Sequence, residues 1–350
     1  MAYDAFLLLS FGGPEHPDHV MPFLRNVTRG RGVPDERLAE VAEHYYHFGG
    51  VSPINQQCRD LLAALDLPLP KYWGNRNWHP MLAETVAQMR DDGVEHALGF
   101  ATSASGGYSS CQQYWEDIAA ARAEVGPGAP RIAKLRQFWD HPGFVEPHAD
   151  AVRAALGTLD PARRATTRVV FTAHSIPVSM AETAGPEGGR YTAQLAETAR
   201  LVHERAGFSA PAGGPGGGRG TAPDLPWDLV WQSRSGPPQV PWLEPDINDH
   251  LAELADRGVT DVVVSPIGFV SDHLEVIWDL DNEAGETAAK LGLGYARAAT
   301  PGTDPRFVAM VRELVAERTD GVPQRRLGTL PVWDVCPQNC CPPPARRGAS

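Results

Sequence analysis

Short apolar runs and longer amphipathic stretches alternate along this chain. Apolar runs with strand-forming residues fall at 6–11, 71–73, 97–101, 169–173, 229–232 and 262–269. Between them lie segments with helical period, at 108–125, 246–257 and 275–291. In the second of these, Ile247, Leu251 and Leu254 stand at i, i+4 and i+7, one face of a helix. The strand-like runs are continuously apolar rather than alternating. That pattern predicts parallel sheets covered on both faces and joined by βαβ crossovers. The fold class is therefore α/β, with a break near 145–165 dividing the chain into halves 1–150 and 151–303.

Two stretches depart from the pattern. Residues 209–226 (SAPAGGPGGGRGTAPDLP) are rich in glycine and proline and read as a flexible surface insertion. Residues 321–350 form a tail with little helical or strand pattern. No internal repeat is strong enough to claim.

The length of 350 residues fits about two domains and a sizeable core. Hydrophobic residues at 42% and charged residues at 21% are a globular balance. The 35 glycines and 32 prolines stay below the share, about 25–30%, that signals disorder. A net charge of −12 argues against a general binder of nucleic acid or anionic membrane. An anionic ligand would need a local basic site. No apolar run approaches the ~18–20 residues of a membrane span. Residues 5–11 read as a buried first strand rather than a signal peptide, since Asp4 precedes them and no basic flank does. The cytoplasm is the expected compartment. Five cysteines, three of them in the last fifteen residues, do not suit a secreted disulfide scaffold of this size.

Candidate chemistry gathers where the strands end, which is where ligands bind in open parallel sheets. His174 follows the run 169–173. It reads as a structural hydrogen-bonder or as a base or metal ligand. Glu275, Asp279 and Glu283 stand at i, i+4 and i+8 and form one acidic row on a helix, with Asp272 and His273 at its start. No lysine or arginine partners the row at i+4, and like charges at that spacing cost about 0.2–0.5 kcal/mol per pair. Such a row suits transit of a hard or borderline divalent cation. Cys336, Cys340 and Cys341 suggest a soft-metal or iron–sulfur site lacking one thiolate, with Cys111 and Cys58 as candidates. Arg29, Arg31, Arg76 and Arg234 punctuate loops. Convergence of several on one cleft would bind carboxylates.

The stretches LLLSFGGPE, NVTRGRGVP, HYYHFGGVSPIN, YWGNRNW, FTAHSIP, WQSRSGPPQVPWLEPD and PIGFVSDHLEVIWDLD occur in this order up to about residue 310. In them the chain resembles the ferrochelatases, most closely the coproporphyrin ferrochelatases of actinobacteria. The resemblance implies two Rossmann-like lobes with a porphyrin in the cleft between them. It also implies a helix at 304–320 (core 305–318) returning to the first lobe. The implied reaction is insertion of Fe2+ into coproporphyrin III with release of two protons, giving coproheme in heme biosynthesis. His174 and Glu275 match the metal-binding and catalytic pair, and Asp279 and Glu283 the acidic relay. Phe11, Arg29, Arg31, Ser52, Arg76 and Trp242 match substrate-contacting positions. Several relatives carry tyrosine where this chain has Phe11, which cannot ligate iron. The tail matches a form that holds a [2Fe-2S] cluster, implying Cys111, Cys336, Cys340 and Cys341 as ligands and Cys58 as a bystander. The expected partners are the porphyrin, Fe2+ and the next enzyme of heme synthesis. No nucleic acid or integral membrane segment is expected.

Three other readings compete. Protoporphyrin IX is the alternative porphyrin. A sirohydrochlorin chelatase for cobalt or nickel is disfavoured by the single His174, the SDHLE block and the cysteine tail. A non-catalytic cluster-based sensor is disfavoured because His174 and Glu275 are both present.

Overall fold

The computed structural model describes residues 2–208, 225–236, 239–337 and 340–343. It contains two four-stranded parallel sheets. The first runs β2–β1–β3–β4, with β1 Ala5–Ser10, β2 Lys71–Asn75, β3 His96–Ala101 and β4 Arg131–Lys134. The second runs β6–β5–β7–β8, with β5 Thr167–His174, β6 Trp227–Gln232, β7 Asp261–Ser265 and β8 Gly294–Arg297. The two strand orders are the same. The repeat that the sequence conceals is therefore present in the topology.

Central strands are the ones the apolar runs reveal. All six residues of β1 are buried, as a parallel strand covered on both faces requires. The edge strands β4 (RIAK) and β8 (GYAR) are four residues long and only partly buried, so no continuous run announces them. The run at 262–269 overshoots its strand. β7 ends at Ser265, where Pro266 cannot donate to a ladder, and the chain leaves the sheet.

Helices α1 Val20–Val27, α2 Asp35–His47, α3 Ile54–Ala64, α4 Leu82–Asp91, α5 Gln113–Val125 and α6 Pro142–Gly157 belong to or follow the first sheet. The second sheet carries α7 Val178–Glu182, α8 Arg190–Arg205, α9 Ile247–Asp256, α10 Leu274–Val276, α11 Gly285–Leu291 and α12 Pro305–Thr319. α12 starts with Pro305 at its first position and the Asp304 carboxylate accepting from the Arg306 amide at 2.8 Å.

α12 packs against α6 and buries Phe307, Met310, Val311 and Leu314. Its Phe307 ring meets those of Phe100, Phe138 and Phe144 at 6.1–6.4 Å. The same core takes Phe6 and Leu8 of β1 with Val169 and Phe171 of β5. The two lobes thus share one continuous core. The 150/151 boundary falls inside α6, which serves both lobes. After α12 the described tail has no helix or strand, but it is pinned: Arg326 donates to Asp140 at 2.8 Å. Of the expected surface insertion, residues 209–224 lie outside the described residues, and Leu225 is fully buried ahead of β6.

Candidate active site

In each sheet the chain winds one way from the first strand to the second and returns past it to the third. The crevice beyond the carboxyl ends of those neighbouring strands is the expected ligand position. In the second lobe these strands are β5 and β7. His174 is the last residue of β5, and the loop after β7 delivers Glu275 in α10. The His174 Nε2 and a Glu275 carboxylate oxygen face each other at 3.6 Å.

The His174 Nδ1 contacts the Ser175 carbonyl, which orients the ring with Nε2 toward Glu275. Burial works against the imidazolium, but the nearby Glu275 charge and the Ser175 carbonyl outweigh it. The net effect raises the histidine above its usual range. Burial likewise works against the Glu275 carboxylate. His174 and His273 overcome that and hold it below the usual carboxylate range. His273, beside the pair, is itself pushed down, mainly by burial.

The acidic row is real in space but not α-helical. Residues Ile277–Ala284 form a π-helix between α10 and α11. Along it the row passes from half-buried Glu275 through buried Asp279 to exposed Glu283. Burial, then the Glu275 charge, push Asp279 up to about 7. Its carboxylate accepts from the Ser233 hydroxyl and from the Gln232 amide at 3.3 Å. Ser233 sits at φ 62, alone among the described non-glycine residues in having a positive φ. Backbone held in that region costs on the order of 1 kcal/mol and persists where the surroundings impose it. Arg297 of β8 fixes the other flank. It grips Asp272 with two hydrogen bonds, at 3.1 and 3.0 Å, and also binds Asp281 of the π-helix. The loop carrying His273 and the helix carrying Asp279 are thereby tied to one strand.

Phe11 follows the carboxyl end of β1, 39% exposed, its ring edge-on to Phe23 at 6.3 Å. Ser52 is buried under the Phe11–Pro14 turn, its amide donating to the Pro14 carbonyl at 2.8 Å. Gly13 must be glycine there, because a Cβ would lie 2.7 Å from that of Ser52. Trp242 lies beside the loop after His174, bridged to Pro177 and packed on Gly236. Arg29 and Arg31 are exposed in the turn between α1 and α2. Arg234 binds the Val240 carbonyl at 3.4 Å and lies 3.6 Å from Glu244. The Arg76 guanidinium pairs with Asp117 at 2.5 Å and stacks over Tyr114 at 4.2 Å, both on α5.

Sequence alone did not point to Gln232 and Ser233, Arg297, or Trp278. Trp278 reaches from the π-helix to α2, where His44 stacks on it at 3.9 Å. Only the position of WQS at a strand end hinted at the first pair. Arg297 lies on an edge strand that gave no signal.

The cysteines gather elsewhere, against α8 and the π-turn Tyr108–Gln112. Cys340 and Cys341 sulfurs lie 3.5 Å apart, and Cys336 is in hydrogen-bond contact with Cys111 and Cys340. Those two contacts first, then Lys134 and Arg190 nearby, push the Cys336 thiol down to about 3. The Gly185 amide donates to the Cys341 sulfur at 3.3 Å. Cys58 is buried apart from this set in the core. Among the described residues no three His, Cys, Asp or Glu side chains are arranged around a single ion. No helix among them is long and apolar enough to cross a membrane.

The chain is similar to known proteins over nearly its whole length. Residues 3–319 match the family model described as Ferrochelatase. The chain is 57% identical to the coproporphyrin III ferrochelatase of Nocardia farcinica, covering 100% of this chain and 99% of that one. It is 55% identical to the protein of the same name from Mycolicibacterium vanbaalenii, over 94% of each. Among solved structures, SirB from Bacillus subtilis with Fe3+ shares the fold at a TM-score of 0.54 and 15% identity, covering 93% of this chain and 99% of that chain.

Proposed function

The chain belongs to the ferrochelatase family, and on that premise we propose that it inserts Fe2+ into coproporphyrin III through His174 and Glu275. The reaction makes it a lyase of heme biosynthesis. The observation that carries the proposal is the His174–Glu275 pair, 3.6 Å apart at the switch point of the second lobe.

Insertion exchanges two pyrrole protons for one metal ion: Fe2+ and the free-base porphyrin give Fe-porphyrin and two H+. The site must therefore bind a dication and accept protons at one place. A neutral imidazole nitrogen and a carboxylate do both. At rest the pair is held as imidazolium and carboxylate, so His174 must first give up its proton. Arriving Fe2+ competes with it, and the buried Asp279, pushed up to about 7, is poised to take it. Exposed Glu283 continues the route to solvent. The same oxygens suit inward passage of the ion, with two units of charge entering as two protons leave. Phe11 offers no ligand, so it presents an apolar edge to the macrocycle.

Arg29 and Arg31 support the porphyrin assignment. They are exposed cations of an acidic chain, in the turn between α1 and α2, and suit propionate groups. Coproporphyrin III carries four propionates and protoporphyrin IX two. The discriminating experiment offers the purified protein Fe2+ under anaerobic conditions with either porphyrin. We expect coproheme formation to exceed protoheme formation by at least tenfold in kcat/KM. Equal turnover, or turnover only of sirohydrochlorin with cobalt or nickel, contradicts the proposal.

We read Cys111, Cys336, Cys340 and Cys341 as ligands of a [2Fe-2S] cluster. The donor set fits: four sulfurs in two neighbouring pairs, two cations beside them and one backbone N–H on sulfur. Such a cluster supplies one-electron redox chemistry, which metal insertion does not use. Folded Cys111→Ser protein that keeps the cluster's visible absorbance sinks this ligand set. All five cysteines are unpaired, which suits the reducing cytoplasm, where the next enzyme of heme synthesis would take the product.

A further inference from the structure

The cysteine tail and the catalytic histidine lie on opposite sides of one short segment. Residues 183–189 join α7 to α8 and contain three glycines of positive φ: Gly185, Gly188 and Gly189. The first two residues of α8 point to different partners. The Arg190 guanidinium stacks over the Trp333 ring at 3.8 Å, donates to the Pro331 carbonyl at 3.1 Å and lies within electrostatic reach of Cys336, Cys340 and Cys341. The next residue, Tyr191, is buried and stacked on Trp231 at 6.0 Å. Its hydroxyl donates to the carbonyl of His174 itself, at 2.8 Å.

Two glycines make room for Arg190. A Cβ on Gly185 would fall 2.5 Å from the Arg190 Nε, and one on Gly106 would fall 3.1 Å from the Arg190 Cδ. Arg190 is thus wedged between the two lobes. Gln194, one turn later, secures the same corner: it accepts from the Gly106 amide at 2.6 Å and donates to Gln137 at 2.8 Å. Gly185 meanwhile holds the Cys341 sulfur. The tail therefore bears on α8 at its first residue, and α8 bears on the end of β5 at its second.

We propose that Tyr191 is a positioning residue for His174, and that the cysteine tail sets the position of Tyr191 through Trp333 and Arg190. The proposal rests on His174 being the catalytic histidine. It gives the tail a mechanical role in catalysis without any electron transfer. Coupling of this kind is reciprocal: whatever the tail does to the His174 backbone, a change at His174 returns to the tail.

The test is a double-mutant cycle on full-length, cluster-loaded protein, using Tyr191→Phe, Trp333→Ala and the pair, compared at equal visible absorbance. Two readouts are taken: kcat and KM for each substrate, and deuterium uptake by peptides covering residues 171–176. Tyr191→Phe removes one hydroxyl and keeps the ring. It should lower kcat about five- to tenfold, leave the porphyrin KM within twofold and speed exchange at 174–176. Trp333→Ala, far from the reacting atoms, should do the same to a smaller degree. The double variant should be no worse than Tyr191→Phe alone. Unaltered turnover and exchange in Trp333→Ala, or effects that multiply in the double variant, overturn the proposal. The exchange readout needs no turnover, so it decides the coupling even if the assigned reaction fails.

Discussion

The chemistry is set by environment more than by residue type. His174 and Glu275 would be an ordinary histidine and glutamate in water. Side by side under partial burial, each holds the other in its charged form. Asp279 is driven the opposite way, because burial and the Glu275 charge outweigh the hydrogen bonds from Ser233 and Gln232. A carboxyl near 7 exchanges protons at neutral pH. Asp279→Asn keeps the shape and removes that capacity, so turnover should fall about 10²-fold and the Fe2+ KM should rise, while the porphyrin KM stays put. Steady-state kinetics varying each substrate in turn would check this. A loss confined to the porphyrin KM would contradict the relay. His174 stood out because it ends an apolar strand, and Glu275, Asp279 and Glu283 because they stand four apart. Ser233 and Gln232 were not, because a strained φ and hydrogen bonds from the end of β6 to the π-helix leave no spacing in the sequence.

At the scale of elements, the central strands and the amphipathic helices were readable from their periods. The π-helix Ile277–Ala284 was not. Its carboxylates sit four apart, a spacing that suits one turn of either an α- or a π-helix, so the row alone does not separate them. The edge strand β8 was missed for a different reason: it is only partly buried, and its sequence GYAR carries no apolar run. Yet β8 supplies Arg297, which binds both the loop before Glu275 and the π-helix after it. Arg297→Gln leaves two carboxylates without their cation at a largely buried place. We expect a loss of about 3 kcal/mol. In urea this appears as a lower midpoint at unchanged slope. Arg297→Lys should recover only part, since an ammonium cannot grip Asp272 with two bonds. Full recovery with lysine would show that charge alone matters there.

Across the whole molecule, the division into two α/β halves was legible but their union was not. The apolar strands announce two sheets; nothing in their period says that α6 and α12 fuse both into one core. That core also encloses titratable groups. His141 and His148 are buried, and burial pushes each down to about 3 from 6.5. A histidine kept neutral when folded binds its proton more readily when unfolded. Stability is then full above about 6.5 and is lost as pH falls toward 3, at about 1.4 kcal/mol per pH unit for each histidine. Thermal melts from pH 8 to 4 should fall steadily below 6.5, and His148→Phe should flatten that slope if the larger ring is accommodated. A melt independent of pH down to 4 would contradict the buried-neutral assignment. Metal insertion by His174 and Glu275 is probed most directly by anaerobic coproheme formation from Fe2+ and coproporphyrin III. The protein to use is His174→Ala whose circular dichroism and unfolding match the parent. Turnover should fall by about two to four orders of magnitude, the expectation for removing a positioned acid–base group. Turnover within a few-fold of the parent would rule out His174 as the inserting residue.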